Sequence, residues 1–296
     1  MDFRTAVKID KSAWQIQPTD RFLFVGSCFA AEMGQRFVDN LFPTTVNPFG
    51  VMYNPASILH TLQRMFPENP CHEKEVSGGF QVPDVVVLTL GTNHVYILNE
   101  TGEIVDNCEK RPQKLFTEKQ LSVDECARYL EECILLLRRV NADVKVIITV
   151  SPIRYAKYGF HGSQLSKATL LLSVHEVIDS SLFTLHSSLT NYFPAYEIMN
   201  DELRDYRFYK EDMLHPSQQA VEYIYQRFAD TFFSDETHGY IRELRPIRQA
   251  LSHRPFNPDS EEYRQFLEQA QQRLAAFKQK YGIETSHSGT SSVPLS

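Results

Sequence analysis

The sequence predicts an α/β fold in which a parallel sheet lies between layers of helices. Three short runs, at 22–25, 84–90 and 144–150, are rich in Val, Ile, Leu and Phe, as in strands buried on both faces. Longer segments with helical spacing of apolar residues follow them. Strands that alternate with such helices form parallel sheets. We therefore predict a three-layer α/β/α sandwich over residues 1–240.

The first strand ends at a glycine and leads directly into a helix. Apolar residues recur at three- and four-residue spacing over 30–41, so they share one helical face. Ser27 and Cys28 lie between Gly26 and this helix, where unpaired backbone N–H groups and the positive end of the helix dipole stabilise negative charge. This position suits a nucleophile.

The remaining elements follow from the same patterns and from turn residues. Pro55 suits the first turn of a helix to about residue 65, and Pro216 suits the first turn of another to about 233. The patterns also predict a strand at 44–46, a hairpin at 95–110, helices at 121–139 and 166–186, and a strand at 193–198. We expect residues 241–283, with a helix at 261–281, to form a helical extension packed on the sandwich. The tail at 284–296 is polar and predicted to be disordered.

Composition excludes several classes of function. The net charge is −7, from 30 basic and 37 acidic residues without a long basic block, so nucleic acid is not an expected partner. Five cysteines without paired short spacing favour a reducing compartment. The sequence contains neither a signal-peptide core nor a run that would span a membrane, so we predict a cytoplasmic protein. Nucleotide and metal motifs are absent, so no cofactor and no metal site are predicted, and the oligomeric state stays open.

Polar residues at the predicted strand ends could serve as the nucleophile, the base and the partner of the base in acyl transfer. A Ser27 hydroxyl or a Cys28 thiol would attack a carbonyl. His215 would take the nucleophile's proton and later return it, while Asp212, three residues earlier, would fix the His215 tautomer. Ligands in such sheets lie beyond the carboxyl ends of the strands, where these residues are expected.

Further residues at the same edge are candidates for binding the reacting group. The Gly50 N–H and the Asn93 amide are predicted to stabilise the oxyanion together with the N–H of the nucleophile. His94 adjoins Asn93, while Arg154 and His161 follow the strand at 144–150. These three are candidate substrate-binding residues for an anionic or sugar group.

Several of these motifs resemble those of a known family. The pentapeptide Gly-Ser-Cys-Phe-Ala at 26–30 resembles the GSCFA family and, through it, the SGNH (GDSL-like) hydrolase superfamily. Gly91-Thr92-Asn93 and the Asp-x-x-His at 212–215 match two of the superfamily blocks, and Gly50 is a looser match. The resemblance implies a flavodoxin-like sandwich. It also implies an esterase or acyltransferase that forms a covalent acyl-enzyme on an acylated small molecule or saccharide.

The nucleophile block departs from the superfamily pattern. In Gly-Asp-Ser the serine stands two places after the glycine, a register that favours Cys28 and puts Ser27 at the aspartate place. A shifted turn would present Ser27 instead. Two alternatives therefore accompany the esterase hypothesis: a non-catalytic module that binds a carbohydrate or a protein partner, and a cysteine-dependent thioesterase.

Overall fold

The computed structural model describes residues 5–67, 80–179, 189–257 and 259–283. The strands are β1 (Phe22–Gly26), β2 (Thr44–Val46), β3 (Val85–Leu90), β4 (His94–Leu98), β5 (Ile104–Val105), β6 (Phe116–Gln120), β7 (Lys145–Val150) and β8 (Thr190–Tyr192). The helices are α1 (Cys28–Asp39), α2 (Pro55–Met65), α3 (Val123–Val140), α4 (Gly159–Asp179), α5 (Ala195–Glu197), α6 (Gln218–Phe232), α7 (Asp235–Leu251) and α8 (Glu261–Tyr281). Within the described ranges, none of the helices is long and apolar enough to cross a membrane.

The main sheet has five parallel strands in the order β2-β1-β3-β7-β8. Counting only these strands, the order is 2-1-3-4-5, that of flavodoxin-like sheets. The order reverses between β1 and β3, where Gly26 pairs with Thr89. This is the topological switch point, the place where open α/β sheets bind their ligands.

Helices cover both faces of the sheet because successive side chains of a strand point to opposite sides. Leu23 and Val25 belong to a core cluster with buried residues of α2, α3 and α4. Phe22 and Phe24 point to the other face and contact Phe37 of α1, with ring centroids 4.6 and 5.0 Å apart. The predicted α/β/α sandwich with a central parallel sheet is confirmed.

A second, antiparallel sheet follows β3 in the order β5-β4-β6. The predicted hairpin at 95–110 corresponds to β4 and β5. The sequence pattern missed β6, whose residues after Phe116 are exposed and lack apolar alternation.

The chain divides into two compact units: Met1–Ile16 with Asp20–Phe233, and Gln17–Thr19 with Ser234–Ser296. In the second unit, α7 and α8 are held together by Tyr240 and Phe277, whose ring centroids are 4.8 Å apart. Glu243 and Lys280 add an ion pair of 2.6 Å. The predicted tail at 284–296 lies outside the described residues.

Three predicted element boundaries were wrong. The strand predicted at 193–198 is β8, which ends at Tyr192, because Pro194 lacks an N–H donor and α5 begins at the next residue. The helix predicted from 166 begins at Gly159, so Ser166 lies inside it. The helix predicted to contain Pro216 in its first turn is α6, which begins at Gln218 because Ser217 caps it.

Candidate active site

Two loops border the switch-point crevice, one after β1 and one after β3. Gly26 has a φ of +143°, and a Cβ built on it would lie 2.1 Å from the carbonyl oxygen of Thr89. Only glycine permits this approach of the two backbones. The close approach places Ser27 and Cys28 beside the Gly91–Asn93 loop.

Ser27 caps helix α1 and is completely buried. Its backbone N–H donates to Thr89 Oγ1 at 3.0 Å, and its own Oγ accepts from the Phe29 N–H at 3.3 Å. Both interactions hold the turn between β1 and α1. The Ser27 hydroxyl is therefore engaged as the N-cap of α1.

Cys28 is the first residue of α1 and is half-buried. Its Sγ lies 3.7 Å from the hydroxyl oxygen of Tyr53. Cys126 and Cys133 are instead completely buried in the core, where burial raises the pKa of the Cys126 thiol to about 12 and that of Cys133 further. Among the cysteines that the structure describes, Cys28 is thus the one at the crevice.

Asp212 and His215 form a pair within one turn of the chain. Asp212 Oδ2 is 2.6 Å from His215 Nδ1, and Asp212 Oδ1 accepts from the N–H groups of Leu214 and His215, each at 2.9 Å. These backbone donors lower the pKa of Asp212 to about 2. Met213 has a φ of +56°, which closes the turn. Nδ1 is engaged by Asp212, so Nε2 is the His215 ring nitrogen outside this pair.

Glu32 connects the His215 segment to the helix that begins at Cys28. Its carboxylate accepts from Lys210 Nζ and from Gln218 Nε2, both at 2.8 Å. The Lys210 N–H in turn donates to the His215 carbonyl at 2.7 Å. Because Glu32 follows Cys28 by four residues, the two side chains share one face of α1. Among the described residues, no hydrogen bond joins His215 to Ser27 or Cys28.

Gly50 does not present a free oxyanion donor. Its N–H donates to the Asn47 carbonyl at 2.9 Å within a turn. The side-chain oxygen of Asn47 accepts from the Gly26 N–H, also at 2.9 Å. The Gly50 N–H therefore closes a turn that holds the end of β1, and its oxyanion role stays a prediction.

Asn93 is buried and its amide is engaged. Nδ2 donates to the Leu121 carbonyl at 2.7 Å, and the backbone N–H donates to Ser166 Oγ at 3.0 Å. Its Oδ1 is buried without a partner. In this position Asn93 connects the end of β3 to the segment before α3, and its oxyanion role stays a prediction.

The three candidate substrate-binding residues occupy different environments. His94 is buried and stacks on Tyr158 with ring centroids 3.6 Å apart, and burial lowers its pKa. The Arg154 guanidinium donates to the Met213 carbonyl at 3.0 Å, so it holds the turn that carries Asp212 and His215. His161 is exposed in the first turn of α4. Contact with a substrate stays a prediction for all three.

The sequence patterns assigned no functional role to two residues near the crevice, Tyr53 and Lys167. Tyr53 stands in a run of turn residues and carries no motif. Lys167 is completely buried, and its Nζ donates to the carbonyls of Gly91 and Ser151, each at 2.7 Å. The only available signal was a lysine within a helical stretch, which usually indicates an exposed residue.

Among the described residues, no group of three or more His, Cys, Asp or Glu side chains is arranged to hold a metal ion.

Models of known protein families match most of the chain. The sequence model of the GSCFA family matches residues 21–82 and 72–228, and that of the "GSCFA domain protein, C-terminal domain" matches residues 244–286. The chain belongs to the GSCFA family. A search of curated proteins finds no match.

Solved structures provide more distant similarities. A mutant of Axe2, an acetyl-xylooligosaccharide esterase from Geobacillus Stearmophilus, is 13% identical with a TM-score of 0.46, covering 75% of this chain and 98% of that one. A Clostridium thermocellum family 3 carbohydrate esterase is 13% identical with a TM-score of 0.40, covering 79% of this chain and 100% of that one.

Proposed function

We propose that this GSCFA protein transfers an acyl group from an ester through a covalent acyl-enzyme on Cys28. The observation that carries the proposal is the Asp212–His215 pair, which Glu32 connects to the helix face that begins at Cys28. A thiol at a helix N-terminus with a histidine on the same side is a common arrangement for nucleophilic catalysis.

Each step conserves atoms and charge. The Cys28 thiol passes its proton to His215 Nε2, and the thiolate forms a bond to the acyl carbon of the ester. The tetrahedral intermediate collapses, the C–O bond to the alcohol breaks, and His215 protonates the leaving alkoxide. Water or an acceptor hydroxyl then attacks the thioester, with its proton taken by His215, and Cys28 is regenerated as a thiol. Asp212 stabilises the imidazolium throughout.

Cys28 is a better candidate than Ser27 because of their environments. Ser27 is completely buried and its hydroxyl accepts from the backbone of α1, whereas Cys28 is half-buried at the crevice. The substrate class, an O-acylated small molecule or saccharide, is proposed from the family resemblance. Hydrolysis and transfer differ only in the acceptor of the last step.

Acetylation by p-nitrophenyl acetate, followed by intact-mass and peptide mapping, tests the proposal. We expect a single acetyl group on Cys28 in the wild-type protein and none there in Cys28→Ala. His215→Ala should slow labelling by about 100-fold, the lower end of a general-base contribution. Cys108→Ala removes another half-buried thiol and should label at the wild-type rate.

Equal labelling of wild-type protein and His215→Ala would refute this mechanism. A positive result leads to a second comparison between thioester and oxygen-ester donors. Turnover of thioesters alone would assign the protein as a thioesterase.

A non-catalytic binding module is the second candidate. It is favoured by the Gly50 N–H, which closes a turn and so leaves one of the expected oxyanion contacts unsupported. This alternative predicts no acetylation of Cys28 and saturable binding of an oligosaccharide or protein partner, measured by calorimetry and weakened by substitutions in the crevice.

A further inference from the structure

The side chain of Tyr53 contacts that of Cys28. Its hydroxyl oxygen lies 3.7 Å from Cys28 Sγ. We infer that the Tyr53 hydroxyl donates a hydrogen bond to the oxyanion that forms when Cys28 attacks an ester. This inference rests on the proposed acyl transfer and assigns an additional catalytic residue to it.

The backbone holds Tyr53 between the two strands of the switch point. Its carbonyl accepts from the N–H groups of Gly91 and Thr92, each at 2.8 Å, directly after β3. The preceding residue, Met52, donates its N–H to the Gly26 carbonyl at the end of β1 at 2.9 Å. The backbone of Tyr53 is therefore fixed to both sides of the crevice, which places its side chain beside Cys28.

Aromatic packing orients the Tyr53 ring. Tyr155 packs edge-to-face against it, with ring centroids 6.0 Å apart. Tyr155 also packs against Gly91, where a Cβ would lie 2.3 Å from the Tyr155 hydroxyl. The Nζ of Lys167 is 5.0 Å from the centroid of the Tyr155 ring. The Tyr155 hydroxyl is buried without a partner. The Tyr53 ring thus packs against Tyr155, a side chain that is itself closely packed.

The chemistry of Tyr53 suits a hydrogen-bond donor that keeps its proton. Partial burial and the neighbouring Cys28 thiol raise the pKa of Tyr53 to about 12, so the phenol is neutral at physiological pH. The oxyanion oxygen is bonded to the carbon that Cys28 Sγ attacks, two bonds from the sulfur. A donor acts on it from about 2.7–3.1 Å. A hydroxyl 3.7 Å from the sulfur can meet this requirement.

Tyr53 also compensates for the donors that the fold uses elsewhere. The Gly50 N–H closes a turn, and the Asn93 amide is bonded to Leu121. The N–H of Cys28 itself lies in the first turn of α1, where backbone N–H groups lack an intrahelical acceptor. Together with the Tyr53 hydroxyl it would form a two-donor oxyanion site.

Two reactions of the same thiol separate this role from others. Acetylation by p-nitrophenyl acetate passes through an oxyanion, whereas alkylation by iodoacetamide displaces iodide without one. For Tyr53→Phe we expect acetylation of Cys28 to slow by about 100-fold, the lower end of the effect of removing one oxyanion donor. The rate of alkylation and its pH profile should stay at the wild-type values. Tyr281→Phe removes a tyrosine hydroxyl in the second unit and should change neither rate.

Other outcomes would refute either the role of Tyr53 or the proposed acyl transfer. Equal acetylation of wild-type protein and Tyr53→Phe would refute the inference and leave the acyl transfer standing. A parallel fall in acetylation and alkylation would also refute it, because Tyr53 would then act on the thiolate or on the fold. Absence of acetylation in the wild-type protein, with alkylation intact, would refute the proposed function itself.

Discussion

Replacing Lys167 by methionine should make the difference in stability between wild type and variant depend on pH. Lys167 is completely buried, and burial lowers its pKa from the ordinary 10.5 to about 7. Its Nζ joins the ends of β3 and β7 through the carbonyls of Gly91 and Ser151. Methionine fills a similar volume without a titratable group.

The sign follows from the protons bound in each state. Between pH 7 and 10.5 the unfolded chain keeps a proton on Lys167 that the folded protein has lost, so the wild-type free energy of unfolding rises with pH. The slope is about 1.4 kcal/mol per pH unit for one proton. The stabilising contribution is present above pH 10.5 and is lost as the pH falls toward 7. From pH 6 to 9, the free energy of unfolding of wild type should gain about 2.5 kcal/mol over that of Lys167→Met.

Urea unfolding followed by far-UV circular dichroism at several pH values measures this difference. Other titrating groups are present in both proteins, so their contributions cancel. The absolute difference in free energy of unfolding at low pH is less informative, because two effects oppose each other. The variant no longer buries a charge, but it leaves two carbonyls without a donor, which costs about 1–3 kcal/mol each. A difference that stays constant from pH 6 to 9 would refute the reasoning and show that Lys167 keeps one protonation state.

Two further predictions concern the framework of the crevice. Gly26→Ala should lower the free energy of unfolding in urea by at least about 3 kcal/mol, because its Cβ would lie 2.1 Å from the Thr89 carbonyl oxygen. Gly102→Ala, with no atom within 4 Å of its Cβ, should lower it by about 1–2 kcal/mol. Equal losses in the two variants would contradict this prediction. Glu32→Gln should slow acetylation of Cys28 about ten-fold while costing about 1 kcal/mol of stability, because its bond to Lys210 is weakened. Glu222→Gln, which weakens an ion pair with Arg36 and keeps an amide oxygen for the hydrogen bond from Gln226, is the control. An unchanged rate in Glu32→Gln would remove the proposed link to His215.

The sequence by itself determined the elements whose signal is local. Continuous apolar runs gave β1, β3 and β7, and Asn54 followed by Pro55 marked the beginning of α2. The Asp212–His215 pair could also be predicted, because the two residues lie three positions apart in one turn of the chain. Patterns with a period of two or 3.6 residues, and contacts over three residues, depend mainly on neighbours in the chain.

Only the tertiary structure decided which polar groups have partners from distant segments. Ser27 and Cys28 are adjacent, yet burial against Thr89 separates a capping hydroxyl from a thiol at the crevice. The engagement of Asn93 depends on Leu121, and that of Lys167 on the ends of two strands. Tyr53 meets Cys28 because the backbones after β1 and β3 are bonded to the same short segment. Burial and hydrogen bonding between segments far apart in sequence leave no periodic signal, so a single sequence does not reveal them.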